Sequence, residues 1–143
     1  MPLTNRLGLA VVGLALSLGC GAAVSEVVAV VSASSPVATL SKEQVADIFL
    51  GKTVRLPDGE QAVPIDQEEG SAARNEFYDR FARKSAAQIK AHWAKIIFTG
   101  RGQPPKKVSS SIEVKKRLVE NLNAIGYIEQ NMVDDSVRVL QSQ

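Results

Sequence analysis

Val27-Val28-Ala29-Val30-Val31 is a β-branched run flanked by Ser25-Glu26 and by a segment ending in Pro36. It is too short for a free-standing helix and apolar at every position, so it reads as a central strand buried on both faces of a sheet. Working outward, Ser32 to Pro36 is serine-rich and closes on proline, which makes it a loop. Ser41 then opens a helix, with Gln44 three residues on completing a capping box. Val45, Ile48 and Phe49 lie three and four apart on its apolar face, and Gly51 stands where a left-handed C-terminal cap belongs.

Pro57-Asp58-Gly59 marks a turn between two short extended segments, Val54-Arg55-Leu56 and Ala62-Val63-Pro64-Ile65. Gly70-Ser71 opens the next helix, placing Phe77 and Phe81 on one face and leaving Arg74, Asp79 and Arg80 to solvent. Ser85 with Gln88 repeats the capping box and starts a helix carrying Ile89, Trp93 and Ile96 or Ile97. Two glycines and two prolines between Phe98 and Pro105 impose an irregular loop. A last helix follows from Ser110, boxed with Glu113 and bearing Val114, Leu118 and Leu122, and Val137-Arg138-Val139-Leu140 forms a closing strand. Alternating strands and helices argue for an α/β or α+β sheet with helices packed on it.

The chain has 143 residues, 17 Lys+Arg against 15 Asp+Glu and a net charge of +2, values of an ordinary globular protein. The one basic cluster, Arg101, Lys106 and Lys107, is too short for a nucleic-acid stripe, so no nucleic acid is expected as partner. The N-terminus reads as a signal peptide over residues 1–25: Arg6, an apolar run from Leu7 to Leu18, then the small residues Gly19-Cys20-Gly21-Ala22-Ala23. The run is shorter than the roughly 20 residues that span a bilayer. Cleavage after Ala23 or Ser25 leaves a mature domain, 26–143, of about 120 residues. Cys20 is the only cysteine, so plain cleavage leaves no thiol; the alternative is a lipid anchor at Cys20, for which Gly19 fits but Ser17 and Leu18 are shifted by one. Both put the domain outside the cytoplasm, in the periplasm.

Three stretches resemble the phosphate-type periplasmic solute-binding proteins of ABC transporters. Ala46-Asp47-Ile48-Phe49-Leu50-Gly51-Lys52 is similar to the family's Ala-Asp-Ile-Phe-x-Gly-Lys. Val63-Pro64-Ile65, followed by Gly70-Ser71-Ala72-Ala73 and Phe77, stands where the family has a strand, a Gly-Ser-Gly-Thr turn and a helix. Ala124-Ile125-Gly126-Tyr127-Ile128-Glu129 resembles Ala-Ile-Gly-Tyr-Val-Glu near the end of one lobe. The resemblance implies an α/β fold: a single lobe of a type II periplasmic-binding-protein-like architecture, with helices packed on a mixed sheet. The family has two lobes closing on a ligand, and about 120 residues suit only one. Half of the cleft is then expected here, unless another copy or another protein supplies the rest.

The candidate anion site that follows is Gly70, Ser71, Ala72 and Ala73, whose backbone N–H groups open a helix, with Arg101 as counter-charge. The local sequence departs from the family: Ala72 and Ala73 replace Gly and Thr, Gln67 stands where an Arg is common, and Asp66, Glu68 and Glu69 repel an anion unless a cation intervenes. Capping of the helix by Ser71 is the competing reading. Lys52 reads as a cation near a helix end. His92 is the sole histidine, and Asp134-Asp135 and Glu68-Glu69 are sequence neighbours that do not converge, so neither an enzyme nor a metal or cofactor site is expected. Trp93, Phe77, Phe81 and Tyr127 read as core anchors. The leading expectation is an extracytoplasmic, non-enzymatic binder of an oxyanion such as phosphate, working with an ABC permease or another envelope protein. The alternative is a single-lobe protein-interaction module that has lost its ligand.

Overall fold

A computed structural model describes residues 26–140. The expected signal peptide, Cys20 included, lies outside these residues, as do 141–143. The described strands are β1 (Val27–Ser32), β2 (Val63–Gln67), β3 (Lys106–Val108), β4 (Ala124–Glu129) and β5 (Val137–Val139). They form one sheet in the order β3-β2-β4-β1-β5. β2 runs parallel to β3 and β4, whereas β1 runs antiparallel to β4 and β5, so the sheet is mixed and the fold is α/β. β1 has a strand on each side and apolar cover on each face, as its continuous apolar run predicts.

Side-chain alternation divides the interior in two. Val27, Ala29 and Val31 of β1 and Ile125 and Tyr127 of β4 pack with helices α1 (Lys42–Phe49), α2 (Ala72–Phe77) and α3 (Ala86–Phe98). On the opposite face, Val30, Ile65, Val108 and Ile128 meet Val114 and Leu118 of α4 (Ser111–Glu120). Gly126 makes this second contact possible, because a Cβ there would fall 2.5 Å from Val114 Cγ1. That is the physical reason a glycine interrupts the apolar pattern of a buried central strand, and it conceals β4 from a reading of periodicity alone.

The capping boxes of α1 and α3 both form. Ser41 Oγ accepts from Gln44 N at 3.1 Å while Ser41 N donates to Gln44 Oε1 at 2.8 Å, and Ser85 and Gln88 do the same. At α4 only half of the expected box is present: Ser110 accepts from Glu113 N, but the Glu113 carboxylate pairs with Lys116 one turn on. Leu122 lies beyond the end of α4 and is exposed, and of the two isoleucines late in α3 it is Ile96 that packs inward. Arg55 and Gln61 form a single antiparallel bridge around the Pro57-Asp58-Gly59 turn.

Gly51 adopts φ +73°, as a left-handed cap requires, and a Cβ there would lie 2.8 Å from the Trp93 ring. His92 reinforces this junction, its Nε2 lying 2.8 Å from the Leu50 carbonyl at the end of α1. Gly51→Ala therefore meets both backbone strain and a ring clash, and is expected to cost about 1–3 kcal/mol. A urea-denaturation midpoint lower than that of the native protein is the check.

Candidate functional site

The site begins where β2 ends. Asp66 points to the α1/α2/α3 side of the sheet and is buried. Tyr78 Oη donates to its Oδ2 at 2.5 Å, Tyr127 Oη donates to its Oδ1, and the Gln67 amide donates to Oδ1 at 2.8 Å. Tyr78 reaches Asp66 from a π-helical segment (Tyr78–Ala82) that continues α2, and Tyr127 reaches it from β4. Burial, then the Asp66 charge, pushes both tyrosine hydroxyls far above their ordinary pKa, so both stay protonated as donors.

Arg74 completes the group. Expected at the surface, it is instead 7% exposed, with Nε 3.7 Å from Asp66 Oδ1 and Nη1 3.9 Å from Glu69 Oε1. The reason is the carboxylate beneath it: a buried Asp66 draws the guanidinium inward from the first turn of α2. Lys107 approaches from β3, opposite Asp66 in the parallel register, and its Nζ lies 3.7 Å from Glu69 Oε1. Asp66, Glu69, Arg74, Lys90, Trp93 and Lys107 line a cleft of about 220 Å³. The buried Trp93 indole N–H has no hydrogen-bond partner among the described residues.

Gly70 and Ser71 follow β2 in the turn that leads into α2, and Ala72 and Ala73 are the first two residues of α2; the lining of the cleft comes from their neighbours Glu69 and Arg74. Gly70 has φ +86°, and Ser71 caps α2, its Oγ accepting from Arg74 N at 3.0 Å. Ser71 N donates to Glu68 O. The first-turn donors that Ser71 does not satisfy are the amides of Ala72 and Ala73. Arg101 lines a neighbouring hollow with Gly100, Gly102 and Gln103; Ile97 and Pro104 are walls of both. Gln67, which stands where the family commonly has an arginine, is buried, and its side-chain Nε2 donates to Ser111 Oγ at 3.2 Å and Tyr127 O at 3.1 Å. It is a tie between β2, β4 and α4.

Reading the sequence located the turn but missed Arg74 and Lys107. No local signal marks Lys107, because its place opposite Asp66 comes from the parallel pairing of β3 with β2. Among the described residues no group of three or more His, Cys, Asp or Glu is placed to hold a metal ion, and no helix is long and apolar enough to cross a membrane.

An α/β lobe with this mixed sheet is a fold found in solved substrate-binding proteins of ABC transporters. The chain shares the fold of those that serve phosphate transport. It is similar to a Clostridium perfringens structure described as a phosphate ABC transporter substrate-binding protein with bound phosphate, at 24% identity and TM-score 0.66, over 82% of this chain and 45% of that one. An ABC-type phosphate transport receptor from Vibrio cholerae matches at 21% identity and TM-score 0.65, over 82% of this chain and 46% of that one. PstS from Borrelia burgdorferi matches at 15% identity and TM-score 0.63, over 83% and 47%. The chain thus spans about half the length of the structures it matches. No family model matches the sequence, and no curated protein matches it.

Proposed function

We propose that this protein is an extracytoplasmic, non-enzymatic solute-binding lobe, residues 26–143 behind a signal peptide at 1–25, that holds a tetrahedral oxyanion such as phosphate. The observation that carries the reading is the cleft beside the β2–α2 turn, where a buried arginine and a lysine converge, in a fold shared with solved phosphate-transport proteins. Arg74 and Lys107 supply the charge, Ser71 and the amides of Gly70, Ala72 and Ala73 supply directional donors, and Arg101 adds an outer counter-charge from the adjoining hollow. The unpartnered Trp93 N–H is a further donor whose burial is costly until something accepts from it. An envelope partner, an ABC permease in the first instance, receives the loaded lobe.

Titration calorimetry with sulfate and phosphate at low ionic strength tests this. Saturable binding near 100 μM, about −5.5 kcal/mol, is expected. Lys107→Gln, on an exposed side chain, is expected to weaken it about fivefold, and Arg101→Ala to weaken it less. No heat at millimolar anion overturns the reading.

Ile97 and Phe98 favour a second reading. Phe98 is 92% exposed at the end of α3, beside Ile97 at the cleft wall, an apolar pair suited to a protein contact. A silent anion titration leaves that interaction module as the function to pursue.

A further inference from the structure

The cleft already contains an anion of its own. Glu69 Oε1 stands between the two cations, 3.9 Å from Arg74 Nη1 and 3.7 Å from Lys107 Nζ, and both separations exceed a hydrogen bond. The two carboxylates of the cleft are held in contrasting ways. Asp66 is locked by two tyrosine hydroxyls and a backbone amide at 1% exposure, whereas the Glu69 side chain is 57% exposed. Glu69 also precedes Gly70, at which nothing lies within 4 Å of a Cβ position, so the turn has open space around it.

We infer that Glu69 is a resident counter-ion that occupies the oxyanion position and must be displaced for a ligand to bind, so that it sets the affinity and charge selectivity of the cleft. This rests on the oxyanion reading above. Displacement is an exchange: the carboxylate swings into water and regains its hydration, while the ligand takes over both cations. A dianion gains more from that pair than the carboxylate it replaces, and a monoanion gains nothing. Glu69 therefore favours doubly charged tetrahedral oxyanions over monovalent ions such as chloride or formate. Asp66 cannot serve in this way, because its oxygens are already taken.

The test compares sulfate, whose charge is constant across neutral pH, in the full-length protein and in Glu69→Gln and Glu68→Gln. Glu68 is exposed and carries the same charge one residue away. Giving up one cation about 4 Å away in a water-like dielectric is a factor of about five for the displaced carboxylate, so Glu69→Gln, which has no such attraction to give up, is expected to bind sulfate about fivefold to tenfold tighter and to gain measurable formate binding. Glu68→Gln is expected to change sulfate affinity less than about twofold. Equal affinity in the native protein and Glu69→Gln overturns the counter-ion role while leaving the oxyanion reading standing. An equal gain in Glu68→Gln also overturns it, because the effect is then that of the general field. If the native protein takes up neither sulfate nor phosphate at millimolar concentration, the oxyanion reading falls and this inference falls with it.

Discussion

Asp66→Ala is expected to destabilise the protein by about 3–5 kcal/mol, the range seen when one member of a buried charge pair is removed. The change takes the acceptor from Tyr78 Oη, Tyr127 Oη and the Gln67 amide and leaves the buried Arg74 without its inner counter-charge. Each buried donor left unsatisfied costs about 1–3 kcal/mol before any relaxation. Asp66→Asn keeps the volume and one acceptor oxygen, and its cost is expected to be about half as large. Urea denaturation of the three proteins gives the ordering, and an Asp66→Ala midpoint indistinguishable from the native one refutes it.

The same network has a spectroscopic signature, because Tyr78 and Tyr127 are the only two tyrosines in the sequence. Both are raised above the ordinary tyrosine value, by burial first and by the Asp66 charge second. The native state thus keeps both protons where the unfolded state loses them. The associated stability is fully present below about pH 10 and falls above it, by about 1.4 kcal/mol per pH unit for each tyrosine. Tyrosinate absorbance is expected to stay flat through pH 10 and then to rise for both residues together, as the chain unfolds. In Asp66→Ala that rise moves to lower pH.

How much of this was legible in the sequence depends on whether the signal was local. The Ser41/Gln44 and Ser85/Gln88 caps, the Gly51 stop and the continuous apolar run of β1 are determined within a few residues, and each forms as expected. β3 was not legible, because Lys106-Lys107-Val108 carries no strand pattern; it is a strand only because Ile65, Asp66 and Gln67 offer it a parallel edge. The lysines also protect that edge against pairing with another chain. Arg74 was misplaced for a related reason. Helical spacing puts it on the polar face of α2, but the pull of Asp66 comes from a strand whose carboxylate faces inward, which no spacing within α2 encodes. The Gly70-Ser71 turn was legible; the cations near it, Arg74 and Lys107, are placed by tertiary pairing.

Phe77→Ala is expected to cost about 3–5 kcal/mol, as for other buried aromatic truncations, and to weaken the cleft although Phe77 does not line it. The Phe77 ring is fully buried and stacks on Tyr127 at 4.1 Å between centroids with planes 5° apart. It also stacks on Phe81 at 4.8 Å and meets Phe49 and Tyr78 edge-on at 4.8 and 5.1 Å. Phe77 thus touches both tyrosines whose hydroxyls fix Asp66, and Asp66 in turn draws Arg74 into the cleft wall. Truncation leaves a cavity beside both rings, so the hydroxyls lose their fixed positions and the guanidinium its anchor. Phe77→Leu fills most of the space and is expected to retain more than half of the lost stability, but without the flat surface that holds Tyr127. A separation of the two effects is the decisive observation: Phe77→Leu close to native in stability yet several-fold weaker for sulfate means that the aromatic stack positions the cleft, whereas parallel losses in both mean that it acts through stability alone.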